Sequence, residues 1–157
     1  MPISLQPITS RNWRATLELN VTPEQLRFVS AYQPIAAIVL AKAYVRSGGL
    51  LWEPYVIVDA TQYVGLLALA YAPTSIDQYW IYHFFIDQRW QGRGYGREAL
   101  QALINLVRTQ HPSCQAIHIT VHPENQLARR FYHHVGFRPT KQRQGDELVY
   151  RLELAKS

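Results

Sequence analysis

The stretch Gln91-Gly92-Arg93-Gly94-Tyr95-Gly96 sets the tightest limit on what this chain can fold into. It lies between two segments of different periodicity. Before it, Tyr79–Asp87 is crowded with aromatic and β-branched residues and reads as a strand. After it, Gly96–Thr109 places Leu100, Leu103, Ile104 and Val107 on one helical face. A strand that turns through glycines into an amphipathic helix belongs to an α/β or α+β domain. Glycine lets the chain turn tightly and lets backbone N–H groups come close to a ligand. The helix start adds unpaired N–H donors and the positive end of its dipole. Arg93 and Arg97 supply counter-charge on adjacent turns. The turn therefore predicts an anion site, with a diphosphate as the obvious ligand. The competing reading is a connection that needs glycine for its shape alone.

Two common phosphate loops do not fit. A P-loop ends in Gly-Lys-Ser/Thr, and here Gly96 is followed by Arg97-Glu98. The dinucleotide fingerprint has a different glycine spacing, opens a βαβ unit and has an acid about 20 residues on, where this chain has Ala116. Elsewhere, Asn12–Asn20 reads as a short helix, and Thr22-Pro23-Glu24-Gln25 starts a second that ends near Val29. Pro34 opens a third, closed by Ser47-Gly48-Gly49. Strands are expected at Tyr55–Asp59, Tyr63–Ala70, Tyr79–Asp87, Ala116–Val121, residues 137–144 and Leu148–Leu154, with a helix over Asn125–His134. The order is ααα-ββ-β-α-β-α-β-β: a single mixed sheet with helices on its faces. No linker or repeat divides the 157 residues, so one domain over 1–157 is expected.

The net charge of +5 is unevenly placed. Residues 1–87 carry five Lys/Arg against six Asp/Glu, and residues 88–157 carry eleven against five. No apolar stretch is long enough to cross a bilayer, and Met1–Arg14 lacks a signal-peptide core, so a cytoplasmic protein with no membrane partner is expected. Cys114 is the only cysteine, which excludes an intrachain disulfide and a cysteine-built zinc site. His118, His122, His133 and His134 lack a ligand-like spacing, so no metal is expected.

The glycine turn resembles the Gln/Arg-x-x-Gly-x-Gly/Ala signature of the GCN5-related N-acetyltransferases (GNAT superfamily). Its context strengthens the likeness. Phe84-Phe85-Ile86-Asp87-Gln88 precedes it, and Asn125, Ala128, Tyr132, Gly136 and Phe137 follow at the spacings of the family's second motif. Asn12-Trp13, Val21, Gln25, Phe28-Val29, Tyr79-Trp80-Ile81 and Gly145-Asp146-Glu147 resemble the Blt-like spermine/spermidine (diamine) acetyltransferases. The resemblance implies a GNAT fold, a mostly antiparallel mixed sheet splayed at its centre with helices on both faces. It implies transfer of an acetyl group from acetyl-CoA, the co-substrate, directly to a primary amine.

Site residues follow from the same resemblance. Phe84, Phe85 and Ile86 should splay from Ile117–Thr120 and offer main-chain groups to the pantetheine arm and the oxyanion. Gln91, Gly92, Arg93, Gly94, Tyr95, Gly96 and Arg97 should hold the pyrophosphate, with Asn125 and Ala128 along the cofactor arm. Tyr132 is the candidate general acid for the departing thiolate. In many polyamine acetyltransferases of the superfamily an acid stands where this chain has Tyr82. Here that stretch is Tyr82-His83, with no acid until Asp87, which makes His83 the candidate base by its titration range. Strand alternation puts Tyr82 and His83 on opposite faces, so one of the two faces the acceptor. A small diamine or polyamine is the leading acceptor, helped by Glu18, Glu24, Glu53 and Asp59 on the acceptor side. The rivals are a protein acetyltransferase, a non-catalytic CoA sensor and a basic nucleic-acid-binding module; the resemblance speaks against nucleic acid and for a homodimer.

Overall fold

The computed structural model describes residues 3–154. Helical period dominates the first third. α1 (Trp13–Thr16) is one turn. In α2 (Pro23–Val29), Pro23 takes the first helical position, and the Thr22 N–H donates to Gln25 Oε1 at 3.2 Å. α3 (Ile35–Val45) stops at Arg46, whose φ of 54° is left-handed. The chain then turns to sheet.

Seven strands make one mixed sheet: β1 (Ile3–Pro7), β2 (Leu51–Asp59), β3 (Gln62–Tyr71), β4 (Tyr79–Ile86), β5 (Ala116–Val121), β6 (Arg138–Gln144) and β7 (Glu147–Glu153), in the spatial order β1-β2-β3-β4-β5-β7-β6. All neighbours run antiparallel except β4 and β5. α1, α2 and α3 lie against one face, where Leu19, Val21, Ile35, Ala36 and Val39 pack with Val56, Val58, Leu66, Ala68 and Phe85. α4 (Tyr95–Gln110) covers the other face with Ala99, Leu100, Leu103, Ile104 and Val107. α5 (Gln126–Val135) joins it there through Tyr132 and ends at Gly136, whose φ is +121°.

The fold class agrees with the sequence reading, with three differences. β1 is not among the expected strands; it is a short edge strand that pairs with β2 alone, and only Ile3 and Leu5 carry its alternation. β2 begins at Leu51 rather than Tyr55, because its outer half pairs with β3 as far as Leu51↔Tyr71. The helix expected over Asn12–Asn20 is confined to α1; beyond it Glu18 and Leu19 make only three-residue turns.

The sheet opens where the site lies. β4 and β5 are in register only at Trp80↔His118 and Ile81↔Ile119. Past these pairs β4 carries a bulge. Its pairing with β3 slips between Ala68↔Tyr82 and Leu66↔Phe85, and His83 has a φ of +52°. One extra residue reverses the alternation: Tyr79 and Ile81 face the α4 core before the bulge, Phe84 and Ile86 after it. The expectation that Tyr82 and His83 face opposite sides is therefore corrected: Tyr82 stacks on Trp52 and His83 reaches Val29 and Lys42, all on the α2–α3 face.

Just beyond β4, Asp87 fixes the approach to the glycine turn. Its buried carboxylate accepts from the Asn20 N–H at 2.9 Å and from the N–H and Nε of Arg89 at 2.9 and 2.8 Å. Burial pushes this carboxyl up, but the Arg89 and Asn20 hydrogen bonds outweigh it and hold it below its ordinary value.

Candidate active site

The glycine turn runs from the end of β4 into α4. Gly92 and Gly94 have φ of +78° and +84°, which only glycine adopts without strain, and a side chain at either would meet only open space. Gly94 is the N-cap of α4 and no side chain caps it. The first N–H groups of a 16-residue helix therefore point at an open surface flanked by the exposed Arg93 and Arg97. The Arg93 guanidinium rests 5.1 Å from the centroid of the Trp90 ring. These features fit a diphosphate.

Other side chains of the turn are committed to the protein. Gln91 Nε2 donates to the Ile86 carbonyl at 2.9 Å and to Gln25 Oε1 at 3.0 Å. The Tyr95 hydroxyl donates to Asp59, tying α4 to β2. Gly96 is not strained, and a Cβ there would touch the Phe131 ring at an ordinary 3.5 Å. Gln91, Tyr95 and Gly96 thus have only main chain left to offer a phosphate. Asn125 caps α5, its Oδ1 accepting from the Ala128 N–H at 3.2 Å. Ala128 itself packs against the core, as do Phe84 and Ile86.

Beside the splayed strands lies a cleft of about 360 Å³. It is lined from both faces of the sheet: Val29 and Lys42 from the α2–α3 side, Tyr82, His83 and Phe84 from β4, Thr120 from β5, Tyr132 from α5, and Gln144 and Glu147 from the last hairpin. Beyond the edges of β4 and β5, the main-chain groups of Phe84–Ile86 that face the gap lack a strand partner among the described residues. Tyr132 is 8% exposed and packs on Phe137, with ring centroids 6.0 Å apart. Burial, and then the Glu147 charge, push its phenol up, so it stays protonated. A second hollow of about 380 Å³ adjoins, sharing Lys42, Tyr82 and Gln144, with Trp52 and Trp80 in its wall. Tyr82 stacks on both indoles at centroid distances of 5.2 and 5.9 Å.

The surroundings of His83 argue against the expected base. Its Nδ1 lies 2.7 Å from the Val29 carbonyl, which can only accept, and its Nε2 lies 2.8 Å from Lys42 Nζ, which can only donate. Both nitrogens are engaged, and the ring is neutral with its proton on Nδ1. Burial, then the Lys42 charge, outweigh the Val29 bond and bring its pKa down to about 4. Below an unfolded value near 6.5 the unfolded chain takes up a proton that folded His83 refuses. Stability is thus lost as pH falls from about 6.5 toward about 4. A melting-temperature series from pH 7.5 to 4.5 should show that decline, and His83→Gln should flatten it.

Sequence reasoning missed Glu147 as a site residue. Its place comes from the hairpin: Gln144↔Glu147 flank the two-residue turn Gly145-Asp146, and that tip reaches the cleft, where the Tyr82 hydroxyl donates to Gln144 Oε1 at 3.0 Å. Conversely, none of the expected acids lines the cleft. Glu53 accepts from the hydroxyls of Tyr55 and Tyr71, both at 2.8 Å, and Asp59 from Tyr95. Glu18 and Glu24 lie on the surface. Cys114 is buried, its thiol pushed up to about 11 by burial, which leaves it a poor nucleophile. No group of three or more metal-ligating side chains occurs, and no helix is long and apolar enough to cross a membrane, among the described residues.

The mixed sheet that opens between β4 and β5, with a glycine turn leading from β4 into α4, has the architecture of the GNAT fold. The family model for the acetyltransferase (GNAT) family matches residues 15–137, and the chain belongs to that family. It is an acetyl-CoA-dependent N-acetyltransferase. A spermine/spermidine N(1)-acetyltransferase of Bacillus subtilis (strain 168) is 28% identical over 137 residues, 87% of this chain and 88% of the relative. The fold is shared with spermidine N-acetyltransferase from Vibrio cholerae, solved with CoA and spermine, at 17% identity and a TM-score of 0.73 over 98% of this chain and 95% of that one. It is equally shared with a Salmonella typhimurium enzyme that modifies the N-terminal serine of ribosomal protein L7/L12, at 17% identity and a TM-score of 0.76 over 99% and 96%.

Proposed function

We propose that the chain acetylates a primary amine of a small molecule seated in the 360 Å³ cleft, with a di- or polyamine first among acceptors. The reading is carried by one observation: a protonated phenol, a carboxylate and the unpaired edge of β4 line the same opening. The curated relative that acts on spermine and spermidine supports the acceptor class.

In this mechanism the Gln91–Gly96 amides, Arg93 and Arg97 hold the pyrophosphate, and Asn125 bonds the cofactor arm through its free amide nitrogen. The Phe84–Ile86 main chain pairs with the pantetheine amides, and an N–H there polarises the thioester carbonyl. Tyr132 hydrogen-bonds the sulfur and protonates it as it leaves. Its raised pKa argues against a free phenolate, so the nitrogen of the new amide gives up its proton to Tyr132 in the same event.

A second reading rests on Lys42. Its ammonium lines both hollows, the second hollow has no carboxylate in its lining, and Trp52 and Trp80 form its wall. That wall suits an amine with one ammonium and an aromatic body better than a long polycation. Release of CoA thiol should be followed with spermidine, spermine, 1,3-diaminopropane, tyramine, a lysine and a peptide with a free N-terminus. Highest kcat/KM for a di- or polyamine supports the first reading, highest for tyramine the second, and highest for the peptide overturns both. Arg93→Ala should weaken acetyl-CoA binding about fivefold, the equivalent of about 1 kcal/mol, as read by calorimetry.

A further inference from the structure

Resting on this reading of the cleft as the acceptor site, we propose that Glu147 is the group that receives the acceptor's ammonium and takes its proton. It is the only carboxylate among the described residues that line the cleft. It shares that cleft with Tyr132, so the two sit where proton removal from the amine and proton delivery to sulfur must occur. Of the two histidines in the lining, His83 is held between the Val29 carbonyl and Lys42, and His122 accepts the Glu124 N–H on Nδ1 with its ring against Phe28.

The groups around Glu147 suit the role. Thr120 lines the cleft with it, and the charges of His122, beyond β5, and Lys42, on α3, favour its ionised form. Burial opposes them and is the larger effect, so the carboxyl sits above its ordinary value. A base of raised affinity accepts a proton from an ammonium more readily than a surface carboxylate does. Tyr82 and His83 from β4, Tyr132 from α5, Gln144 from β6 and Arg27 from α2 complete the polar lining. Arg27 is occupied at the rim by Glu124, at 3.0 Å, and no carboxylate lies within 4 Å of Lys42 among the described residues.

The chemistry balances. An alkylammonium of pKa about 10.4 is neutral in only about one molecule in 10³ at pH 7. Glu147 takes one proton from it, and the freed lone pair bonds to the thioester carbonyl carbon. The C–S bond breaks, the sulfur takes the Tyr132 proton, and the nitrogen's remaining excess proton replaces it on Tyr132. Glu147 then releases its proton to solvent, so one proton leaves per amide formed.

Glu147→Gln keeps the side-chain volume and removes the charge. With the best amine of the panel, kcat/KM should fall close to 10²-fold at pH 7. The pH profile is the sharper signature. Wild type should be nearly flat between pH 7 and 9, whereas the variant should rise about tenfold per pH unit, since solution must then supply the free amine. Acetyl-CoA affinity and melting temperature, measured alongside, should stay within error of wild type. A Glu147→Gln enzyme with wild-type kcat/KM and a flat profile overturns the assignment while leaving the acetyltransferase reading intact. A uniform loss with an unchanged profile also overturns it, as a binding role. If wild type acetylates no amine of the panel, the reading of the cleft falls and the assignment with it.

Discussion

Tyr132→Phe is expected to lower kcat between about 10²- and 10³-fold with saturating acetyl-CoA and amine. The substitution removes one oxygen and keeps the ring, so the contact with Phe137 at 6.0 Å survives. The hydroxyl makes no hydrogen bond to another described residue, so its loss should not lower the melting temperature. Without the phenol the thiolate must leave unprotonated. Stopped-flow measurement of CoA release, with acetyl-CoA binding measured separately, checks the split. A kcat within threefold of wild type would remove Tyr132 from the chemistry.

Gly65→Ala is the second large effect, and it acts through the fold. Gly65 lies in β3 between Ile57 of β2 and Ile86 of β4. A Cβ there would fall 2.4 Å from the Phe85 carbonyl oxygen and 3.1 Å from Ile86 Cα. Both are backbone atoms of β4, so relief requires that strand to move. The expected cost is about 3 kcal/mol, a drop of about 6–12 °C in melting temperature for a domain of this size. Because the displaced segment is Phe85-Ile86, acetyl-CoA affinity should fall at temperatures where the variant is still folded. Thermal melts with and without acetyl-CoA measure both. An unchanged melting temperature would mean that β4 yields freely at that point.

The parts of the site written in local pattern are legible in the sequence itself. The period of α4 and the alternation of glycines at 92 and 94 are set by residues near in sequence, and each appears in the fold with the expected geometry. What is not legible depends on pairing across distance. Glu147 enters the cleft because β7 pairs with both β5 and β6, which no window around residue 147 reveals. His83 is misread from sequence because the bulge in β4 changes the parity of the strand, and its engagement by Lys42 and Val29 spans 41 and 54 residues. The acidic first half misleads for a related reason: Glu53 and Asp59 are bound by tyrosines away from the cleft. The signal for β1 is its alternation of Ile3 and Leu5, too brief to separate from coil.

A crystal structure of the chain with CoA and the best amine of the panel tests the account most directly. The account predicts both phosphates against the amides of Gly92–Gly96 with Arg93 and Arg97 beside them. It predicts the pantetheine arm paired along Phe84–Ile86, its sulfur within hydrogen-bond reach of Tyr132 and the amine beside Glu147. CoA bound elsewhere, with the turn before α4 bare and the gap between β4 and β5 closed by the protein's own side chains, would contradict it.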